Sequence, residues 1–76
     1  MPITKLSSLP AVYVGETFHS ADGETTVYIR EIFVNYAGDA MISYNKRSPG
    51  KSDMDTIPYG DFIRMADRLL LLGTAT

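Results

Sequence analysis

The sequence predicts a mainly β fold with one short α-helix, either a small curved β-barrel or a strongly twisted antiparallel sheet. Several segments alternate apolar with polar residues and are rich in β-branched and aromatic side chains, which is the pattern of strands. Glycine-containing turn signals separate these segments. One stretch near the C-terminus instead repeats its apolar residues at helical spacing. A chain of 76 residues has room for one hydrophobic core, so we expect a single domain.

The first extended segment runs from residue 11 to residue 19. Val12 and Val14 alternate with less apolar neighbours in it, and we expect Gly15 to mark a bend or a bulge. The step Asp22-Gly23 follows, and both of its residues tolerate positive φ angles. This step therefore predicts a hairpin turn.

The segment from Thr25 to Val34 is the clearest predicted strand. Its apolar residues change phase midway: Val27 and Ile29 share one face, whereas Ile32 and Val34 fall on the opposite phase. Such a change predicts either a β-bulge at Arg30-Glu31 or a strong coil in a long curved strand.

A second turn signal, residues 35–39, precedes a third strand at residues 40–45. The residues of this strand that we expect to face inward are Ala40, Ile42 and Tyr44. Residues 46–53 contain a Pro-Gly step and are predicted to form a polar loop that projects from the sheet. Residues 54–59 resume an extended segment, with Pro58 acceptable only at an edge or a strand end.

The helix is predicted near residues 61–68. Asp61 suits its N-cap or first turn, and apolar residues recur at helical spacing in Phe62, Ala66, Leu69 and Leu70. A terminal strand through Leu69–Leu72 is a further expectation. The predicted organisation is an N-terminal arm at residues 1–10, a single β domain at residues 11–73 and a tail at residues 74–76.

This order of elements is close to that of an SH3-like barrel, and short motifs along the chain strengthen the likeness. The motifs are Val14-Gly15-Glu16-Thr17-Phe18, Val27-Tyr28-Ile29, Gly38-Asp39 and Asp61-Phe62-Ile63. Over roughly residues 11–70 the chain resembles small barrel proteins encoded by bacteriophages and prophages. The resemblance implies a barrel that serves as a recognition surface, often one that blocks or redirects a host protein. It implies no site residues.

Composition and charge exclude several classes of function for this chain. The chain has no cysteine, which removes disulfides, thiolate nucleophiles and cysteine-based metal sites and suits a cytoplasmic location. No stretch approaches the length of a membrane span or the pattern of a signal peptide. The formal net charge of −2 has the wrong sign for a dedicated nucleic-acid-binding protein. We therefore expect a soluble domain outside the membrane.

Candidate catalytic and metal-binding groups are few. His19 is the only histidine, so a transition-metal site would lack a second strong ligand. Asp53 and Asp55 share a strand face, but they lack the further oxygen ligands of a calcium loop. Gly50-Lys51-Ser52 matches only the end of a phosphate-binding loop, because Asn45 stands where its first glycine belongs. We expect no enzyme activity, no metal and no cofactor.

Two contact zones are predicted. The first is the basic loop, in which Lys46, Arg47 and Lys51 follow Tyr44, since cations beside an aromatic ring suit phosphate contact and base stacking. The second is an exposed group formed by Tyr28, Arg30 and Tyr36, because tyrosine and arginine are favoured in protein interfaces.

The leading hypothesis is a non-enzymatic protein-binding module, such as a phage-type inhibitor or adaptor that occupies a surface of a larger host protein. The alternative is a nucleic-acid-binding small barrel that uses the basic loop 46–51. Homodimerisation is open in both cases, because a small sheet has exposed edges.

Overall fold

An antiparallel sheet dominates the computed structural model, which describes residues 3–6 and 12–74. The elements in chain order are β1 (Ile3–Lys5), β2 (Thr17–Ser20), β3 (Thr26–Val34), β4 (Ala40–Ser48), β5 (Lys51–Pro58), α1 (Tyr59–Leu69) and β6 (Leu71–Thr74). They form one six-stranded sheet in the order β1-β6-β2-β3-β4-β5. The mainly β prediction with one short helix is confirmed.

The sheet is open, so the prediction of a closed barrel is wrong and the antiparallel-sheet form of the prediction is right. Closure would require the two edge strands, β1 and β5, to pair with each other. Strand β1 has only three residues. Strand β5 ends in Pro58, which has no N–H to donate, and the Thr56 N–H of β5 donates to the Asp55 carboxylate at 2.8 Å. Neither edge offers a continuous row of free backbone groups.

The β-bulge in β3 is confirmed. Ile29 pairs with Tyr44 and Glu31 pairs with Ser43, which leaves Arg30 without a cross-strand partner. The extra residue restores the phase of the strand, so that Ile32 lies opposite Ile42 and packs against the core together with Ile29.

The predicted loop at residues 46–53 is instead the end of a tight hairpin. Strands β4 and β5 pair all the way to Ser48 and Lys51, and only Pro49-Gly50 forms the turn. The proline ring fixes φ near about −65°, and Gly50 has a φ of 74°. These are the angles of a type II turn, which needs only two central residues. A sequence that reads as a polar loop thereby folds as paired strand.

The start of the first strand also differs from the prediction, because β2 begins at Thr17 rather than near residue 11. Residues 13–16 form a turn in which Glu16 N donates to Tyr13 O at 3.2 Å and Gly15 has a φ of 92°. The bend predicted at Gly15 is confirmed. Ile29 N donates to Glu16 O at 2.9 Å, which holds this turn beside β3.

Helix α1 begins directly after β5, two residues earlier than predicted. Pro58 occupies its N-cap position, and Asp61 lies in its first turn, where a carboxylate favours the positive end of the helix dipole. Its buried residues are Phe62, Met65 and Ala66. Leu70 ends the helix in the left-handed conformation, with a φ of 54°, and turns the chain into β6. In the part of the chain that is described, no helix is long and apolar enough to cross a membrane.

One face of the sheet, here called the inner face, packs against α1 and forms the core. The largest fully buried side chains are Phe18, Phe62, Leu6, Ile29, Ile42, Leu71 and Val27. Most of the run of leucines at residues 69–72 is covered by the fold. Leu71 is buried and Leu72 is half-buried, whereas Leu70 is 50% exposed. Homodimerisation stays a prediction.

The predicted arm and tail are partly described. Residues 3–5 of the arm form the edge strand β1, and Leu6 is buried in the core. Thr74 of the tail belongs to β6. The remainder of the predicted arm (residues 1–2 and 7–10) and of the tail (residues 75–76) lies outside the described residues.

Candidate functional site

The residues predicted to contact a partner are spread over both faces of the sheet. Opposed residues in the strand register share a face, and neighbours along a strand alternate between faces. Tyr28 and Arg47 lie on the face opposite α1, here called the outer face, whereas Lys46 and Lys51 lie on the inner face. The residues of the predicted basic loop are therefore divided between the two faces, and the contact role of both zones stays a prediction.

Tyr44 belongs to the core and is only 5% exposed. Its ring centroid lies 5.5 Å from that of Phe62, and its hydroxyl donates to Met65 Sδ at 3.4 Å. Burial raises the pKa of the Tyr44 phenol, and the charges of Asp55 and Asp53 raise it further. The predicted contact role of Tyr44 is thus replaced by a packing role, because α1 covers the part of β4 in which Tyr44 lies.

The basic loop does not form one cluster of cations. Lys46 lies opposite Asp53, and Lys51 Nζ lies 3.7 Å from Asp53 Oδ2. Arg47 points to the other face, where Thr26 and Ser52 flank it. Strand alternation separates consecutive cations, so the three cations do not share one face of this hairpin.

The strongest apolar exposure lies at the end of the β3–β4 hairpin. We call Phe33, Val34 and Tyr36 the hairpin tip. Phe33 is 36% exposed, Val34 is 68% exposed and Tyr36 is fully exposed. Together with Asn35 they line a surface cavity of about 320 Å³. Of these residues, only Tyr36 belongs to a contact zone predicted from the sequence. The signal for Phe33 and Val34 is the run of apolar residues that continues up to the turn.

The turn that carries Tyr36 is held rigidly by Asn35. The Asn35 side-chain oxygen accepts hydrogen bonds from the N–H groups of Ala37 and Asp39, both at 3.0 Å. Asn35 N donates to Asp39 O at 3.0 Å, and Gly38 takes a φ of 87°. These bonds satisfy the turn locally and hold its backbone in one conformation, so that Tyr36 is presented to solvent.

A second concave feature lies on the outer face, and it joins one residue from each predicted zone. We call it the sheet hollow. Its volume is about 330 Å³, and its lining residues are Thr17, Thr26, Tyr28, Asn45, Arg47 and Ser52. The register explains this grouping, because Tyr28 lies opposite both Thr17 and Asn45, while Arg47 lies opposite both Thr26 and Ser52. Asn45 and the hydroxyl residues are not predicted from the sequence, because they become neighbours only through strand pairing.

Arg30 is exposed at the bulge. It lies between Tyr28 and the hairpin tip along β3, and it has no cross-strand neighbour.

His19 and Asp22 make hydrogen bonds in and beside the β2–β3 turn. His19 is exposed, with Nδ1 3.3 Å from Thr26 Oγ1. The Asp22 carboxylate accepts hydrogen bonds from the Ser20 hydroxyl and from Glu24 N–H, and these bonds lower its pKa in that order of importance. Nowhere in residues 3–6 and 12–74 do three or more histidine or acidic side chains converge as metal ligands would.

A groove of about 510 Å³ runs between α1 and the edge of the sheet. Its lining residues are Tyr44, Asp55, Ile57, Asp61, Arg64, Met65 and Arg68. Arg64 pairs with Asp61 within the first turns of α1, so part of its charge is already neutralised inside the chain.

Comparison of this chain with protein-family models, with curated proteins and with solved structures found no match.

Proposed function

We propose that this chain is a non-enzymatic protein-binding module and that the hairpin tip is the centre of its contact surface. The observation that carries the proposal is the exposure of Phe33, Val34 and Tyr36 around one end of a hairpin, on both of its faces. Exposed apolar groups that lie together favour association, whereas single exposed apolar residues are ordinary on protein surfaces.

The position of the tip suggests how a partner is engaged. Phe33 lies on the outer face opposite Met41, and Val34 lies on the inner face opposite Ala40, which is exposed. Apolar groups on both faces of a projecting hairpin suit insertion into a groove of the partner. The turn is already rigid, so little conformational entropy is lost on binding. Tyr36 adds a large aromatic surface with a polar end, the kind of residue that contributes most in interfaces.

The more specific form of the proposal is an inhibitor or adaptor of the phage type, built on an SH3-like sheet. Two observations support this form of the proposal: the resemblance of the sequence to small phage-encoded barrel proteins, and the connectivity of the sheet. Strands β2 to β5 form a meander, α1 follows, and β6 returns to pair with β2. A reducing, cytoplasmic setting belongs to the same proposal, because the chain contains no cysteine that a disulfide would require.

Affinity capture with matched variants tests the proposal. Val34 and Met54 are apolar strand residues of nearly equal exposure, 68% and 66%, but only Val34 lies at the tip. The immobilised wild-type chain and Met54→Asp are expected to retain the same protein from a bacterial lysate. Val34→Asp and Tyr36→Ser are expected to lose it, because a carboxylate or a small side chain removes apolar contact area.

Two results would contradict the proposal. One is capture of no protein above background at any salt concentration. The other is equal capture by Val34→Asp and by the wild-type chain, which would place the contact elsewhere. Circular dichroism of each variant checks that the sheet is intact.

A further inference from the structure

One row of side chains on the outer face is basic although the chain as a whole is acidic. The row crosses the sheet through Lys5, Leu72, His19, Thr26 and Arg47. Asp53 and Asp55 of β5 lie on the inner face, and Glu31, opposite Ser43, is a carboxylate of the outer face that lies outside this row. The net charge of −2 therefore does not describe the row.

Among the described residues that line the sheet hollow, Arg47 is the only charged one. It is exposed, and the ion pairs found among the described residues join Lys51 with Asp53 and Arg64 with Asp61. The Arg47 guanidinium thus has no carboxylate of this part of the chain within ion-pairing distance. A guanidinium with its donors unused favours a phosphate or a carboxylate, which it can contact with two parallel hydrogen bonds.

Asn45 provides a second unused group in the same hollow. Its side-chain oxygen is buried and has no hydrogen-bond partner among the described residues. Buried polar atoms without partners are rare in folded proteins, and each one calls for an explanation. Turning the amide over would put its NH₂ group at the same buried position, so the need for a partner would persist.

Tyr28 supplies an aromatic wall to the hollow. It is 42% exposed, and the ring pairs among the described residues are those of Phe62 with Tyr44 and with Tyr59. Tyr28 stands directly opposite Asn45 on the same face. A planar ligand that lies on the Tyr28 ring would bring its own edge to the Asn45 amide.

We infer that the sheet hollow binds a nucleotide unit. The base lies on the Tyr28 ring, the Asn45 side chain turns outward so that its Oδ1 accepts an N–H group of the base, and the phosphate contacts Arg47. Stacking on an aromatic ring, hydrogen bonding at the base edge and phosphate contact are the interactions by which proteins hold unpaired nucleotides. The volume of about 330 Å³ lies at the lower end of the range for small-ligand sites.

The bound nucleotide is either a free nucleotide or one unit of a single-stranded nucleic acid. The row of basic side chains on the outer face favours the single strand. Successive members of this row, Arg47 with His19 and His19 with Lys5, are two strand spacings apart, or about 10 Å at the usual strand spacing. Further phosphates of a strand that crosses the sheet would meet His19 and Lys5. This site is distinct from the hairpin tip, and the inference does not rest on the proposed protein contact.

Nuclear magnetic resonance titration of the ¹⁵N-labelled chain tests the inference. The probes are thymidine monophosphate and a single-stranded oligothymidylate, because thymine offers an N–H donor to Asn45. Both are expected to shift the Asn45 side-chain amide and the Tyr28 backbone signals. Tighter binding of the oligothymidylate would identify the single strand as the source, and equal binding would identify the free nucleotide.

Variants distinguish a specific binding site from unspecific electrostatic attraction. Arg47→Gln and Tyr28→Ser are each expected to lower affinity about tenfold, whereas Tyr28→Phe keeps the ring and most of the affinity. Lys46→Gln is the matched control, because it removes the neighbouring positive charge from the opposite face. We expect less than about a twofold change for it.

Three results would overturn the inference. The first is the absence of shifts at Asn45 and Tyr28 with both probes. The second is an equal loss of affinity in Arg47→Gln and Lys46→Gln, which would show unspecific attraction. The third is binding of the acidic peptide acetyl-Gly-Glu-Gly-amide at these signals without binding of either nucleotide probe, which would assign the hollow to a protein carboxylate.

Discussion

Replacing Tyr44 tests directly whether this residue is a core residue or a partner contact. Tyr44→Ala removes a side chain that is 5% exposed and that packs its ring against Phe62 at 5.5 Å. Deletions of a buried aromatic side chain destabilise proteins by about 3–5 kcal/mol. A chain of this length has a total stability of about 4–11 kcal/mol. Tyr44→Ala should therefore lower the free energy of unfolding by a large part of its value.

Tyr44→Phe keeps the ring and removes only the hydroxyl, whose acceptor is Met65 Sδ at 3.4 Å. Sulfur is a weak acceptor, so the expected loss is about 0.5 kcal/mol. Urea unfolding of the wild-type chain, both variants and Tyr28→Ala gives the comparison. Tyr28 is exposed, and its replacement should change the free energy of unfolding by less than about 1 kcal/mol. A loss below about 1 kcal/mol in Tyr44→Ala would refute the core assignment.

Two further predictions follow from groups near the candidate site. Burial is the main factor that raises the pKa values of Tyr44 and Tyr59, so above about pH 10 the unfolded chain releases these protons first and stability falls as pH rises. Urea unfolding at about pH 8 and about pH 11 should show this loss, and a Tyr44→Phe, Tyr59→Phe double variant should show less of it. Asn45→Val removes the unpaired buried oxygen from a strand and should raise the free energy of unfolding by about 1 kcal/mol; a decrease would mean that the amide has a structural partner.

Local features of the fold were predictable from the sequence because they depend on neighbouring residues. The bulge at Arg30-Glu31 follows from the change of phase between Val27–Ile29 and Ile32–Val34, and the register confirms it. The Asp22-Gly23 turn follows from the φ angles that these residues tolerate, and Gly23 has a φ of 77°. The alternation of residues along the strand also predicted correctly that Tyr44 points to the inner face.

Features that depend on distant parts of the chain were not predictable in the same way. Sheet closure is a matter of how β1 and β5 meet, and no local pattern encodes it. The contact role assigned to Tyr44 rested on its proximity in sequence to Lys46, although its inward phase already opposed that role. The buried state of the Asn45 oxygen depends on its neighbours across the strands, Tyr28 and Met54, which are remote in sequence.

Alternation along a strand explains why the two predicted contact zones had to be redrawn. Neighbours such as Lys46 and Arg47 lie on opposite faces, so a surface must be assembled across strands rather than along them. Across the strands, Arg47 joins Tyr28 and Asn45 in the sheet hollow, while Tyr36 joins Phe33 and Val34 at the hairpin tip. Tyr28 and Phe33 lie on the same strand on either side of the bulge, and their cavities share no lining residue. A substitution at the tip can therefore abolish a protein contact while nucleotide binding in the hollow is preserved, and the reverse pattern is expected for Arg47→Gln.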